Sequence, residues 1–334
     1  MTRKLIIDTD PGVDDAMAIA FGLCHPDMEL LGLTTVFGNT SIEFATRNAQ
    51  YILDVMGARD VAVARGAAAP RVQAAHAPPD FVHGSDGLGN VWPAGGVTLA
   101  PDCRHAEIEP LDAADFIIDS ARRYPGKISL VAVGPLTNIA EALAREPALP
   151  ELLHELVIMG GSLQEPGNVS PLAEANFWND PHAADDVLSG NWPASIVGLD
   201  VTHRIMLSDD DLGRLRDDAG LTGRLLWESS RFYVDFYTSR ATAIGGDGRR
   251  ECAMHDAAAI ARVVVPEAFE TVQGGARVIP DGMAIGQLTL DRLGHDYPVA
   301  HWASRPRSTA VCIDVQADRV RSHFLDTVID HHIR

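Results

Sequence analysis

The sequence predicts an α/β fold: a single domain with a mainly parallel, Rossmann-like central sheet flanked by helices. Three observations carry that expectation. Short apolar runs alternate with longer amphipathic stretches along most of the chain. Several short runs, such as Leu5-Ile6-Ile7 and residues 128–133, are apolar without a break, the pattern of strands covered on both faces. No repeat, low-complexity tract or interdomain linker divides the 334 residues, so residues 1–334 read as one domain although length alone is a weak prior for two.

Each element follows in turn. Leu5-Ile6-Ile7 is a strand that ends at an acidic loop. Residues 14–24 form a helix apolar on nearly all sides, and so buried. Residues 30–36 form a strand closed by a turn at Phe37-Gly38-Asn39. Residues 41–56 form a helix with Ser41 as its N-cap, and residues 61–63 a short strand. Residues 65–110 break the pattern, with much Gly, Pro and Ala, Pro78-Pro79 and Gly84-Ser85-Asp86-Gly87 among them. A loop this long in a compact domain is functional or mobile, and a mobile loop is expected at about 66–95. Alternation then resumes: helix 112–123, strand 128–133, a helix to Arg145, strand 156–159, helix 181–188, and a strand over 194–199 ending at Asp200. A long helix over 221–243 carries Trp227, Phe232, Tyr233, Phe236 and Tyr237, which at helical spacing read first as core. A helix over 255–265, several short strands and a closing helix at about 316–331 complete the chain.

Charge narrows the function. Acidic residues number 46 against 27 basic ones, a net charge of −19. Nucleic acid and anionic membrane surfaces need a basic face, so both are excluded as main partners. A small neutral molecule or a cation fits. No apolar run approaches the roughly 18 residues of a membrane span. No secretory signal is visible, and the expected location is the cytoplasm. The four cysteines, Cys24, Cys103, Cys252 and Cys312, are far apart without a CxxC pair, which argues against structural zinc or a disulfide framework.

In folds of this class the ligand sits beyond the carboxyl ends of the strands. Asp8-Thr9-Asp10-Pro11-Gly12-Val13-Asp14-Asp15 lies there, with four carboxylates in eight residues directly after a strand. Acidic groups in a first helical turn often only cap the helix. That does not account for Asp8 and Asp10 beside them. Crowded carboxylates repel unless a cation or shared proton compensates, and hard oxygen donors favour Ca²⁺ or Mg²⁺. Asn168, Glu174 and Asn176 follow a later strand and offer the donors and acceptors that a polyol needs; alone they also read as a polar turn-forming loop. Met254-His255-Asp256 opens a helix, where Asp256 completes a cation shell and His255 donates a proton, or where the pair merely caps the helix. Asn39 follows the second strand as a polar ligand group. After Val133 the turn Gly134-Pro135 breaks the ladder and frees backbone carbonyls, which are valid Ca²⁺ ligands. His83-Gly84-Ser85-Asp86-Gly87 has the glycine hinges of a lid, or is plain surface loop.

Together these motifs resemble the inosine-uridine preferring nucleoside hydrolases. DTDPGVDDAMAI, AVGPLTNIA, VIMGG, GNVSPLAEANFWNDPHAA and MHDAAAIA occur in that family's order, from about Leu5 to the last helix. The resemblance implies one Ca²⁺ at the bottom of an open pocket, held by Asp10, Asp15, the Val133 carbonyl and Asp256. It implies that Asp10 takes a proton from the attacking water. Asp14, Asn39, Asn168, Glu174 and Asn176 bind ribose hydroxyls, Met159 packs nearby, and His255 is the proton donor to the leaving base. Base contacts lie in the His83 lid and among Trp227, Phe232, Tyr233, Phe236 and Tyr237, with no single one assigned. Asp8 supports the metal ligands from behind. The implied activity is hydrolysis of the N-glycosidic bond of ribonucleosides, in purine and pyrimidine salvage, by a homotetramer or homodimer. Two departures stand out: Ala175 replaces a frequent aromatic, and the loop before Asn168 is about one residue longer. Ala175 keeps open a hydrolase for an unusual riboside. A non-catalytic calcium-dependent nucleoside or sugar binder is the alternative outside enzymes. A haloacid-dehalogenase-type phosphatase would use Asp8 and Asp10 but lacks a lysine placed for phosphate.

Overall fold

The computed structural model describes residues 2–92, 108–243, 245–302 and 305–332. In chain order the first elements are β1 (Arg3–Thr9), α1 (Val13–Cys24), β2 (Met28–Thr35), α2 (Ile42–Val55), β3 (Ala62–Arg65) and α3 (Asp80–His83). Next come α4 (Ala113–Arg123), β4 (Ile128–Ala132), α5 (Thr137–Arg145), α6 (Leu149–Leu152), β5 (Glu155–Met159), α7 (Ala175–Asn179) and α8 (Pro181–Val187). They are followed by β6 (Ala194–Val197), α9 (Leu199–Thr202), β7 (Met206–Ser208), α10 (Asp209–Asp218) and α11 (Gly220–Ala243). The last are β8 (Glu251–Ala253), α12 (His255–Val264), β9 (Phe269–Val278), β10 (Leu288–Asp291), β11 (Thr309–Val315) and α13 (Ala317–His331).

Among the described residues a nine-stranded sheet runs in the order β10-β9-β11-β6-β5-β4-β1-β2-β3. From β3 to β11 every pairing is parallel, and only β9 is reversed, pairing antiparallel with β11 on one side and with the edge strand β10 on the other. The stretch β3-β2-β1-β4-β5-β6 has the doubly wound order, and its direction reverses between β1 and β4. A crevice opens at such a reversal, outside the carboxyl ends of the two strands.

Side chains alternate across the sheet as the two-residue period requires. Ile7, Val131 and Val157 pack into one core with α1 and α12, and Ile6, Leu130 and Ile158 into the other with α4, α5 and α8. Helix α1 lies against α11, α12 and α13 as well as the sheet. This explains why it is apolar all round: it has no solvent face. Cys24, Cys252 and Cys312 are buried, and Cys103 lies outside the described residues. No described helix is long and apolar enough to cross a membrane.

Three features differ from the sequence expectation. The strand expected over 194–199 stops at Val197, and Leu199 and Asp200 begin α9. The Asp200 carboxylate accepts N–H bonds from Leu163, Gln164 and Glu165, so it pins the long loop after β5. Helix α10 is polar on most of its surface and buries only Leu212 and Leu215. Its one clear signal is the Ser208–Asp211 capping box. β7 and β8 pair as a separate two-stranded antiparallel sheet across more than forty residues of chain, which no local pattern reveals.

The loop after β3 is tied down along its length. Ala67 donates to Asn138 Oδ1 at 2.9 Å, and Arg71 N–H to Asp180 Oδ2 at 3.0 Å. Gln73 Nε2 bridges the carbonyls of Trp178 and Asn179, both at 2.9 Å. Residues 93–95 of the expected mobile loop lie outside the described residues.

Candidate active site

The crevice between β1 and β4 holds a buried carboxylate group. β1 delivers Asp10 at its end, and α1 presents Asp14 and Asp15 in its first turn. α12 starts at the same place and brings Asp256 in its own first turn. Ligand oxygens of Asp14, Asp15 and Asp256 lie within 4.8 Å of one another. Asp15 is the organising member. Its Oδ1 accepts from Thr9 Oγ1 at 2.5 Å and Asp10 N–H at 3.2 Å, and its Oδ2 from Gly12 N–H at 2.8 Å and Asn39 Nδ2 at 3.1 Å. Asp10 stands beside the group, with Oδ2 accepting Asn39 N–H at 2.6 Å. Its carboxylate is sandwiched between two glycines. A Cβ on Gly38 would come within 2.0 Å of Asp10 Oδ2, and one on Gly134 within 2.7 Å of Oδ1.

The electrostatics favour a cation. Burial raises the pKa of Asp10, Asp14, Asp15 and Asp256, and mutual repulsion adds to the rise at Asp10, Asp14 and Asp256. Asp14 is pushed up to about 8. Asp10 Oδ1 and Asp14 Oδ1 are buried without a hydrogen-bond partner. Such groups stay ionised at neutral pH only if positive charge sits among them. An all-oxygen donor set with unpartnered buried oxygens fits a hard divalent cation. The close three-carboxylate set includes Asp14, with Asp10 adjacent. The Val133 carbonyl, just past β4, already accepts Asn176 Nδ2 at 2.9 Å.

Asp8 faces the opposite side of β1. Its Oδ1 accepts Thr34 Oγ1 at 2.5 Å and Asn138 Nδ2 at 2.8 Å. Burial raises its pKa to about 7 against those two bonds. It therefore ties β1 to β2 and α5 behind the switch point, and none of its hydrogen bonds goes to an expected metal ligand.

Above the carboxylates lies a cavity of about 430 Å³, within the ordinary range for small-ligand pockets. Asp14, Asn39, Val133 and Asp256 line its floor, and Met159, Asn168, Glu174 and Asn176 one side. Glu174 is the N-cap of α7: its carboxylate accepts N–H bonds from Gly161 and Asn176 at 2.8 Å and Phe177 at 3.2 Å. This fixes Glu174 in place. Asn176 is fixed in turn by Val133 and by the Met159 carbonyl at 3.1 Å. Asn168 Oδ1 is buried and unpartnered, an acceptor aimed at nothing within the protein.

The opposite wall comes from α3, α9, α11 and α12. His83 is buried, stacks on Tyr233 with ring centroids 5.4 Å apart, and accepts Val13 N–H at 3.4 Å. Burial drives its pKa to about 3, so it is neutral. His255 pairs through Nδ1 with Thr202 Oγ1 at 2.7 Å and through Nε2 with the Tyr237 hydroxyl at 2.6 Å. Burial, then the neighbouring His203 and His83, hold its pKa well below the usual histidine value. Tyr237 and Tyr233 hydroxyls lie 3.4 Å apart, and Tyr233 donates to Asp14 Oδ2 at 3.3 Å.

The structure thus brings together the expected residues, with Asp10 and Asp15 fully buried beneath the cavity and the others on its surface. Of the five α11 aromatics that were candidates for core or base contact, Tyr233, Phe236 and Tyr237 line the cavity, and Trp227 and Phe232 do not. Three other lining residues were not anticipated. His76 stacks on Trp178 at 3.7 Å, and His203 and Arg240 complete the outer wall; nothing in their local sequence marks them.

A family model described as "Inosine-uridine preferring nucleoside hydrolase" matches residues 5–322. The chain is 39% identical to uridine nucleosidase 1 of Arabidopsis thaliana over 290 residues, covering 87% of this chain and 82% of that one. Among solved structures it superposes on a plant nucleoside hydrolase with a TM-score of 0.89 and 33% identity, covering 98% of this chain and 99% of the other. A purine-preferring ribonucleoside hydrolase from Gardnerella vaginalis matches with a TM-score of 0.87 and 33% identity over 99% of both chains.

Proposed function

The chain belongs to the inosine-uridine preferring nucleoside hydrolase family, and from that premise we propose a calcium-dependent mechanism and a role for each site residue. Membership makes it an enzyme that hydrolyses N-ribosyl bonds, releasing ribose and base from ribonucleosides. The observation that carries the finer reading is the buried group of Asp14, Asp15 and Asp256 beneath a cavity, with unpartnered oxygens on Asp10 and Asp14.

Asp10, Asp15, Asp256 and the Val133 carbonyl would hold Ca²⁺, with Asp14 within the same carboxylate group. When bound, Ca²⁺ orients the attacking water and makes it more acidic. Asp10 Oδ1 accepts the proton that this water loses, since Oδ2 is engaged by Asn39. Asp14, Asn39, Asn168, Glu174 and Asn176 hold the ribose hydroxyls and Met159 packs against the sugar. Their rigid hydrogen bonding orients the ring before reaction. Glu174 and Asp14 oppose the positive charge that develops on the sugar as the C1′–N bond stretches. The electron pair of that bond departs with the base. His255 faces the base, and burial disfavours its charged form. The proton it gives to the departing base is the N–H proton of its ring, and the Tyr237 hydroxyl, 2.6 Å from Nε2, donates to the ring as that proton leaves. His83 closes the pocket over the base, and Phe81 and Pro79 of the tied-down loop cover the mouth. Ala175 lines the cavity with only a methyl group, which favours, as a second reading, a riboside with a bulkier substituent on that side.

The test is ribose release from inosine, uridine, cytidine, adenosine, guanosine and p-nitrophenyl riboside, before and after chelator treatment. Release that stops on chelation and returns with Ca²⁺ supports the proposal. Release unaffected by complete metal removal contradicts the calcium role.

A further inference from the structure

Thr202 is buried at the last position of α9 and does not line the cavity. Its backbone is held on both sides. The N–H groups of Leu199 and Thr202 bond to the carbonyls of Gly161 and Gly198, and the Asp200 carboxylate between them holds three N–H groups of the loop after β5. A β-branched side chain on such a backbone has little rotamer freedom. The hydroxyl therefore stands at a fixed point, 2.7 Å from His255 Nδ1.

The direction of that bond follows from its surroundings. Among the described residues Thr202 Oγ1 has no hydrogen-bond partner other than Nδ1. A buried hydroxyl hydrogen needs an acceptor, so Thr202 donates and Nδ1 accepts. Burial disfavours the charged ring, and a neutral imidazole whose Nδ1 accepts carries its proton on Nε2. The far end of the network gives the same answer. Tyr233 donates to the Asp14 carboxylate at 3.3 Å, which leaves its oxygen to accept from Tyr237, 3.4 Å away. With its hydrogen directed at Tyr233, the Tyr237 oxygen accepts from His255 Nε2 at 2.6 Å. Tyr237 lines the cavity and Thr202 does not, so the proton sits on the nitrogen toward the cavity.

Resting on the hydrolase reading, we propose that Thr202 is a positioning residue: by donating to Nδ1 from behind the ring, it fixes His255 in the tautomer whose N–H is on the cavity side. It adds no step to the reaction. It decides which nitrogen holds the proton that His255 supplies to the departing base, and the Tyr237 hydroxyl turns to Nε2 only as that proton leaves. With the proton on Nδ1 instead, the cavity side of the ring offers only a lone pair to a base that is gaining negative charge.

The test varies the leaving group. p-Nitrophenolate departs as a stable anion and takes no proton, whereas uracil and hypoxanthine depart with a proton's help. Thr202→Val keeps the branched shape and removes the donor. Its kcat for uridine and inosine is expected to fall about tenfold or more, with p-nitrophenyl riboside within about twofold of wild type and KM little changed for all three. Thr202→Ser restores the hydroxyl and most of the uridine rate. Equal losses on uridine and p-nitrophenyl riboside are the mark of a purely structural role and overturn the proposal, as does unchanged uridine turnover. A readout that needs no change at Thr202 is the ¹⁵N spectrum of histidine-labelled wild type, with His255 assigned by its absence in His255→Gln. A protonated Nε2 and a bare Nδ1 are expected; the reverse overturns the proposal even where Thr202→Val does not fold. If wild type releases ribose from none of the three ribosides, the hydrolase reading fails by itself, and the ¹⁵N spectrum still upholds or refutes the tautomer.

Discussion

Replacing Asn138 with alanine is expected to destabilise the protein by about 3–6 kcal/mol, although Asn138 does not line the cavity. The side chain is buried at the start of α5. Its Nδ2 donates to Asp8 Oδ1 at 2.8 Å and to the Thr35 carbonyl at 3.0 Å, and its Oδ1 accepts Ala67 N–H at 2.9 Å. One amide therefore joins β1, β2 and the root of the loop that covers the cavity. The fit is close: a Cβ on Gly66 would lie 2.2 Å from Asn138 Oδ1. Truncation leaves the Thr35 carbonyl and the Ala67 N–H unpaired, at about 1–3 kcal/mol each. Asp8 keeps Thr34 but loses its second donor, and the vacated space adds about 1 kcal/mol. These terms share partners and are not strictly additive, hence the range. With an unfolding entropy of about 2.1 cal/mol/K per residue over 334 residues, each kcal/mol shifts Tm by roughly 1.4 °C, so thermal unfolding should move down by about 4–9 °C. Ribose release should weaken in parallel, chiefly through KM, because the loop root loses its anchor. A Tm within about 2 °C of wild type with unchanged KM would refute this account of the switch point.

Three further outcomes follow from the site and its surroundings. Asp256→Asn removes one of three close carboxylates, so turnover should fall more than about 10²-fold; Ca²⁺ should also lose most of its effect on Tm, and a variant still stabilised like wild type would contradict the ligand role. Tyr237→Phe deletes the 2.6 Å partner of His255 Nε2; kcat for uridine should drop about 10–100-fold while stability changes by only about 1–2 kcal/mol, and an unchanged kcat would remove Tyr237 from the proton path. His25 and His323 lie with their Nε2 atoms 3.3 Å apart, and burial lowers both pKa values. The unfolded chain then binds protons more readily than the folded one, so their contribution to stability is present above about pH 6.5 and is lost as pH falls below it. Tm measured across pH 5–8 should decline less steeply on the acid side in His323→Gln than in wild type.

The sequence carried the half of the site built from contiguous motifs. Asp10, Asp14 and Asp15 announce themselves because a strand end, a Pro-Gly turn and a helix start are packed into eight residues. The parallel sheet was legible because strands covered on both faces cannot hide their apolar runs. What escaped was determined by distance in the chain. β9 runs against the other strands between β11 and β10, a matter of pairing rather than pattern. β7 meets β8 only because α10 and α11 fold back between them. Tyr233 and Tyr237 read as core or as base contacts, and the partners of their hydroxyls emerge only when α12 brings His255 against Tyr237 and α1 brings Asp14 against Tyr233. Glu174 read as a sugar ligand; its three backbone N–H bonds add a second task, the N-cap of α7, that residue type alone does not distinguish. His203 and Arg240 reach the cavity from just past the short helix α9 and from the end of α11, and no spacing rule links them to the acidic motif.

The central claim is that the carboxylates beneath the cavity direct water to C1′ of a ribonucleoside. The most direct measurement is uridine turnover in ¹⁸O-labelled water, free of phosphate, with the released sugar trapped at once by reduction. The account predicts one labelled oxygen at C1 of ribose, none in the base, and no label incorporation after chelator treatment until Ca²⁺ is restored. Label in the base, or release that requires phosphate, would contradict it.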